Sequence, residues 1–280
     1  MNNTPLPFGE ASTVLSRDGT RIAYHTLGQG PSVMVVPGVL STAANYARFA
    51  DALSRRFTVH TVERRGRGLS GPQGKDYSVL KEQEDVLAVQ EASGATFLVG
   101  HSFGGLIALE AARTQRLFSR IATYEPGVSI GGSINMNWIH TYQQKLLQGK
   151  SLDAFVEFIR GTGPKRAQRT PSWLMKFLLP RLVKPDELRE LLSLLPENLR
   201  EHQALAALDS THHHYRDVAA EVLLLRGGRD PLDWVEPTIR QLSEVLLHAE
   251  VQVYPTLDHF GLDKGAPEEV ARTVGHFFLR

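Results

Sequence analysis

The chain of 280 residues contains no cysteine. Disulfides, thiolate metal sites and a cysteine nucleophile are thereby excluded, although the compartment is not fixed by this. Net charge is almost absent: 31 Lys and Arg against 30 Asp and Glu leave a formal +1. No global field argues for nucleic acid or an anionic membrane as partner. No apolar run nears the roughly 18 residues needed to span a bilayer. The opening stretch, MNNTPLPFGEASTV, has no basic segment followed by an apolar one. No secretory leader is therefore expected, and the expected location is cytoplasmic. The totals leave the oligomeric state open.

Apolar residues make up 42% and charged residues 22%, enough for a sizeable core. STVLSRDGTRIAYHTLG reads as two strands joined at Asp18-Gly19, a turn-forming pair. PSVMVVPGV is a short continuous apolar run, as in a strand buried on both faces. FTVHTVE, ATFLVG, RIATYEP, EVLLLRGG and EVQVYP read as further strands. Helical patterns fall at 42–54, 78–92, FGGLIALEAARTQ, 235–247 and PEEVARTVGHFFL. Strands alternating with helices predict an α/β fold with a mostly parallel, doubly wound sheet. The alternation breaks once. Residues 128–217 show helical segments and no convincing strand, punctuated by Pro164, Pro171, Pro180, Pro185 and Pro196. They are expected to form a helical cap inserted into a core built from 1–127 and 218–280.

Gly100-His101-Ser102-Phe103-Gly104 fits the pattern G-x-S-x-G, between a strand and a helix. Glycines there permit a turn too tight for side chains, which lifts the serine hydroxyl clear of the sheet at a helix N-terminus, where developing negative charge is favoured. A serine nucleophile needs a base, and the base needs an orienting acid. Asp230 follows the LLLRGG strand and His259 follows the next one. Ser102, Asp230 and His259 would then meet at the carboxyl ends of the strands, where open α/β sheets place ligands.

With VMVVPGV, VERRGRGLSG, VGHSFGG, LLLRGGRDP and LDHFG together, the chain resembles the α/β-hydrolase family over most of residues 12–280. The resemblance implies Ser102 as nucleophile, His259 as general base and then acid, and Asp230 as its orienting acid. It also implies an oxyanion hole built from the backbone N–H groups of Phe103 and Val39. Many relatives have His-Gly before the second donor, where this chain has Pro37-Gly38. Glu125, in YEPG, is the alternative acid, because some relatives take it from the preceding strand. Asp258 directly precedes His259 and is badly placed to reach its Nδ1, and Asp263 reads as a loop residue.

The expected activity is hydrolysis of a small-molecule carboxylic ester through an acyl-enzyme, with no metal and no organic cofactor. Carbon–carbon hydrolysis, lactonase or perhydrolase chemistry on the same triad, and a non-catalytic small-molecule receptor of the same fold, are the alternatives. ERRGRGLSG lacks the order of a phosphate loop and reads as scaffold. His212, His213 and His214 point in different directions and are expected to be a solvated segment rather than a metal site. Between Arg160 and Lys184 there are seven basic residues and no acidic one, expected to be a solvated cap face, with anionic substrates or an acidic partner as the alternative. Trp138, Phe155, Phe158, Trp173 and Phe177 are expected mostly in the cap's core.

Overall fold

The computed structural model describes residues 11–229 and 232–280. In chain order the core begins with β1 (Ala11–Leu15), β2 (Arg21–Leu27), β3 (Ser32–Val36), α1 (Ala47–Ser54), β4 (Thr58–Glu63) and α2 (Val79–Ser93). It continues with β5 (Phe97–His101), α3 (Phe103–Thr114) and β6 (Arg120–Tyr124). Six helices follow before the sheet resumes: α4 (Ile139–Leu147), α5 (Ser151–Thr162), α6 (Lys165–Arg169), α7 (Ser172–Leu182), α8 (Pro185–Ser193) and α9 (Leu195–Ala206). The chain closes with β7 (Glu221–Gly227), α10 (Val235–Val245), β8 (Ala249–Tyr254) and α11 (Pro267–Phe278).

Among the described residues eight strands form one sheet in the order β1-β2-β4-β3-β5-β6-β7-β8. β1 and β2 pair antiparallel, as do β2 and β4, and every other pairing is parallel. The Asp18-Gly19 turn forms as expected, with the Thr20 N–H donating to Asp18 Oδ1 at 3.0 Å and Gly19 at φ +82°.

Side-chain alternation explains the layers. Met34, Val36, Leu98, Ile121, Val222 and Leu224 join α2, α3 and α10 in one buried cluster. Their neighbours Val33, Val35, Val99, Ala122, Leu223 and Leu225 join α1 and α11 in the other. A strand buried on both faces needs an apolar residue at every position, which is why these segments are continuous apolar runs. Strand order reverses at β3, whose sequence neighbour β4 lies on one side and β5 on the other. At such a reversal the loops leaving the strands diverge and open a crevice.

The inserted helices carry a third buried cluster of their own, with Trp138, Tyr142, Phe155 and Leu195, which also takes in Leu40 from the loop after β3. Three local features differ from the sequence expectation. The segment at 42–54 opens as a 3-10 turn, Ala43–Tyr46, before α1. α7 runs past Pro180 to Leu182. At that late position the missing proline N–H costs one hydrogen bond in the last turn of the helix. Gly261–Gly265 forms a π turn that no periodicity signals.

Leu224 is fully buried in the middle of β7, whereas Leu147 is 75% exposed. Leu224→Ala should lower the unfolding free energy by about 2–5 kcal/mol, and Leu147→Ala by less than about 0.5 kcal/mol. Urea midpoints at constant m-value test the contrast.

Candidate active site

The corner between β5 and α3 is unusual at its backbone. Ser102 has φ +53° and ψ −121°, outside the regions an L-residue normally occupies. Such a conformation costs of the order of 1–3 kcal/mol and persists only where the surroundings enforce it. They do so here. The Ser102 N–H donates to Tyr124 O at 3.0 Å, and its carbonyl accepts from Gly105 N and Gly127 N, both at 2.8 Å. A Cβ on Gly100 would overlap the Gly104 carbonyl, and one on Gly104 would overlap the carbonyls of Val36 and Pro37. The glycines of the motif are thus demanded by close backbone approach, and the serine hydroxyl is left at the head of α3.

His259 follows β8 and brings its imidazole to that hydroxyl. His259 Nε2 lies 3.2 Å from Ser102 Oγ. On the opposite edge, Nδ1 lies 2.7 Å from Glu125 Oε2. A carboxylate oxygen accepts, so Nδ1 carries the hydrogen. Nε2 then presents a lone pair, and the serine O–H donates to it. Glu125 is 2% exposed and sits just past β6 at φ +45°. Its second oxygen accepts the Gly227 N–H at 2.8 Å, and its own N–H donates to Leu225 O at 2.9 Å. Both carboxylate oxygens are therefore held, and the acid cannot swing away without losing a buried hydrogen bond.

The register explains how the acid reaches the histidine. His101 is paired with Tyr124 across β5 and β6, so Ser102 and Glu125 leave adjacent strand ends side by side. The sequence expectation put Asp230 in this place first. The structure puts Glu125, the alternative, on Nδ1, and Asp230 lies outside the described residues. Asp258 instead turns to the surface, where Oδ2 pairs with Arg229 at 2.8 Å and Oδ1 accepts the Phe260 N–H. Asp263, expected in a loop, is buried in the π turn, and burial raises its pKa to about 6 against the pull of Lys264 and His259.

Two backbone donors remain. Among the described residues neither the Phe103 nor the Val39 N–H has a hydrogen-bond partner. A Cβ on Gly38, the residue before Val39, would lie 3.2 Å from Ser102 Cβ, so the loop after β3 runs directly against the serine. The arrangement can take a proton from a hydroxyl, hold the resulting imidazolium against a fixed carboxylate and offer N–H groups to a developing oxyanion.

The sequence matches the model of the alpha/beta hydrolase family over residues 33–273. The chain belongs to the α/β-hydrolase family. Over 260 residues it is 23% identical to the 2-(acetamidomethylene)succinate hydrolase of Mesorhizobium japonicum, covering 89% of this chain and 88% of that protein. Over 250 residues it is 24% identical to the pimeloyl-(acyl-carrier protein) methyl ester esterase of Vibrio atlanticus, covering 84% and 90%. The crystal structure of an α/β hydrolase from Sphaerobacter thermophilus is similar with a TM-score of 0.80 at 27% identity, over 95% of this chain and 100% of that one.

Around the site of this α/β hydrolase runs a buried layer that the sequence reading did not single out. His101 Nε2 lies 2.8 Å from the His259 carbonyl, which can only accept, so Nε2 carries the hydrogen. Its Nδ1 then accepts from the Tyr46 hydroxyl at 2.7 Å, and Tyr46 accepts the Gly38 N–H at 2.9 Å. One chain of hydrogen bonds thus ties the loop after β3 to the backbone of His259. Burial, and then the neighbouring His259, push the His101 imidazole down to about 3.

The basic loop after β4 is interior. Arg65 pairs with Asp85 at 2.6 Å and Asp18 at 3.0 Å. Arg64 pairs with Glu82 at 2.7 Å and Glu201 at 2.8 Å, and its guanidinium lies 4.8 Å from the Phe103 ring centroid. His212, His213 and His214 lie in a 3-10 turn, and among the described residues no group of side chains is arranged to hold a metal ion. Of the aromatics between β6 and β7, Trp138 and Phe155 are buried, but Trp173 and Phe177 are exposed. Among the described residues no helix is long and apolar enough to cross a membrane.

The depressed His101 pKa has a stability consequence. The unfolded imidazole takes up a proton as pH falls through about 6.5, while the folded one resists until about 3. The stabilisation is complete above 6.5 and is lost progressively in acid. From pH 7 to 5 the wild type should therefore lose about 1–2 kcal/mol more than His101→Gln, read from urea unfolding of both proteins at the two pH values.

Proposed function

We propose that this hydrolase cleaves small-molecule carboxylic esters through an acyl-enzyme, with Ser102 as nucleophile, His259 as general base and acid, and Glu125 as orienting acid. The observation that carries the reading is the continuous path from Ser102 Oγ through His259 to Glu125, at 3.2 and 2.7 Å. Ser102 Oγ attacks the ester carbonyl as His259 Nε2 takes its proton. The tetrahedral oxyanion lies between the N–H groups of Phe103 and Val39, each such donor being worth about 2.7–4 kcal/mol in the transition state. His259 returns the proton to the departing alkoxide. Water, activated by the same imidazole, then releases the acid. Glu125 holds the ring and stabilises its charged form, the part first expected of Asp230. Side chains and backbone N–H groups carry every step, so the scheme calls for neither metal nor cofactor.

Residues 128–217 act as the cap in this reading. Leu40, two residues from the Gly38 backbone, packs into the same buried cluster as Trp138 and Tyr142. The helices therefore sit against the entrance and set which acyl and alcohol groups enter. The name of the Mesorhizobium japonicum relative supports a second reading, amide cleavage, since its substrate carries an acetamido group. The same triad serves both, with an amine in place of the alkoxide as leaving group.

A short p-nitrophenyl ester should show burst release that Ser102→Ala abolishes. Glu125→Gln should lower kcat by about 10⁴-fold, the scale set by loss of the orienting acid in such triads. Asp230→Asn should stay within a few-fold of wild type. The opposite ranking of the two acids would overturn the assignment of Glu125, and hydrolysis surviving in Ser102→Ala would overturn the mechanism.

A further inference from the structure

Beneath the loop after β3 a buried ion cluster joins the core to the inserted helices. The peptide between Gly38 and Val39 is fixed by its oxygen. Gly38 O accepts from Arg64 Nη1 at 2.9 Å and from Ser41 Oγ at 3.0 Å. A trans peptide is planar, with C=O and N–H pointing in opposite directions. Pinning the Gly38 oxygen to the interior therefore turns the Val39 N–H away from it. The preceding peptide is pinned too, by the Gly38 N–H on Tyr46.

Arg64 is itself held by carboxylates. Glu82 on α2 takes its Nε and Nη2, and Glu201 on α9 takes Nη2 at 2.8 Å. The same Glu201 oxygen accepts from Arg67 Nη2 at 2.6 Å and from Gln73 Nε2 at 3.2 Å. Arg67 in turn donates through Nε to Ser41 O at 2.9 Å. One carboxylate oxygen from the inserted helices thus holds two arginines, each of which grips a carbonyl of the 38–41 loop. Glu201 and Arg67 side chains are fully buried and Arg64 is 1% exposed, so these opposite charges face one another away from bulk solvent. Removing one partner from such a cluster leaves an uncompensated buried charge, and the remaining groups must rearrange.

We propose that Glu201 is a positioning residue for the oxyanion hole: through Arg64 and Arg67 it holds the Gly38–Val39 peptide so that the Val39 N–H faces the carbonyl attacked by Ser102. The inference rests on the acyl-transfer reading above. It makes the seating of α9 and the strength of the oxyanion hole a single property. A ligand that shifts α9 loosens the donor, and one that seats it tightens the donor.

The test compares ground-state and tetrahedral binding in Glu201→Gln, which keeps the size of the side chain and removes its charge. A trifluoromethyl ketone, which adds Ser102 to form a tetrahedral oxyanion, serves as the probe. The expected result is a kcat on the p-nitrophenyl ester reduced about tenfold or more, a KM within about twofold, and a trifluoromethyl ketone Ki weakened by the same factor as kcat, the pattern of an interaction made only in the transition state. A merely structural role would leave Ki and kcat uncoupled. Ser41→Ala, which removes the second hydrogen bond to Gly38 O together with a 3.5 Å contact to the Tyr46 hydroxyl, should show the same split to a smaller degree and serves alone if Glu201→Gln does not fold. Unchanged kcat and Ki in the folded variants would overturn the proposal while leaving the Ser102 mechanism standing. Failure of the acyl-transfer reading is recognised separately, by wild-type turnover that does not depend on Ser102.

Discussion

The structure depends on one backbone corner. Ser102 is held at positive φ between a strand that enters and a helix that leaves, and nothing about serine favours that conformation. It is stable because its N–H and C=O are claimed by Tyr124, Gly105 and Gly127, and because Gly100 and Gly104 allow neighbouring backbones into contact. Strain of this kind is stored at the price of packing elsewhere, and the two apolar layers flanking β3, β5, β6 and β7 supply that packing. The corner fixes where the hydroxyl stands. Every other member of the site is placed relative to it.

The partners arrive by different routes. Glu125 comes from the adjacent strand end, also at positive φ, with both oxygens occupied. His259 comes from the loop after β8, and its carbonyl is tied to His101, the residue before the serine. Tyr46 extends that tie to Gly38. Ser102, His259 and the loop after β3 are therefore linked through a buried histidine. Such a layer acts on the geometry of the site without touching a reacting atom. The Arg64 cluster does the same from the opposite side of the loop.

Much of this was legible in the order of residues. Continuous apolar runs marked the inner strands because burial on two faces leaves no room for alternation, and the glycines around Ser102 marked the corner because only they permit it. His259 was legible as the histidine after the last strand. The acid was not. Glu125 and Asp230 both follow a strand and both precede His259, and lateral strand order is a three-dimensional fact that spacing does not carry. The pairing of His101 with Tyr124 puts Glu125 beside the serine, and that register exists only in the folded sheet. The buried roles of Arg64 and Arg67 were hidden for a related reason. A basic, glycine-rich loop reads as scaffold, but its ion-pair partners, Glu82 and Asp85 on the next helix and Glu201 far along the chain, are set only by the fold.

The central claim is that one serine, activated by His259 and Glu125, receives an acyl group beside two backbone donors. The most direct measurement is a crystal structure of the protein after reaction with a small organophosphate. The account predicts phosphorus bonded to Ser102 Oγ, a phosphoryl oxygen within hydrogen-bond distance of the Phe103 and Val39 nitrogens, and Glu125 on His259 Nδ1. Phosphorus on another residue, or an adduct whose oxygen turns away from both nitrogens, would contradict it.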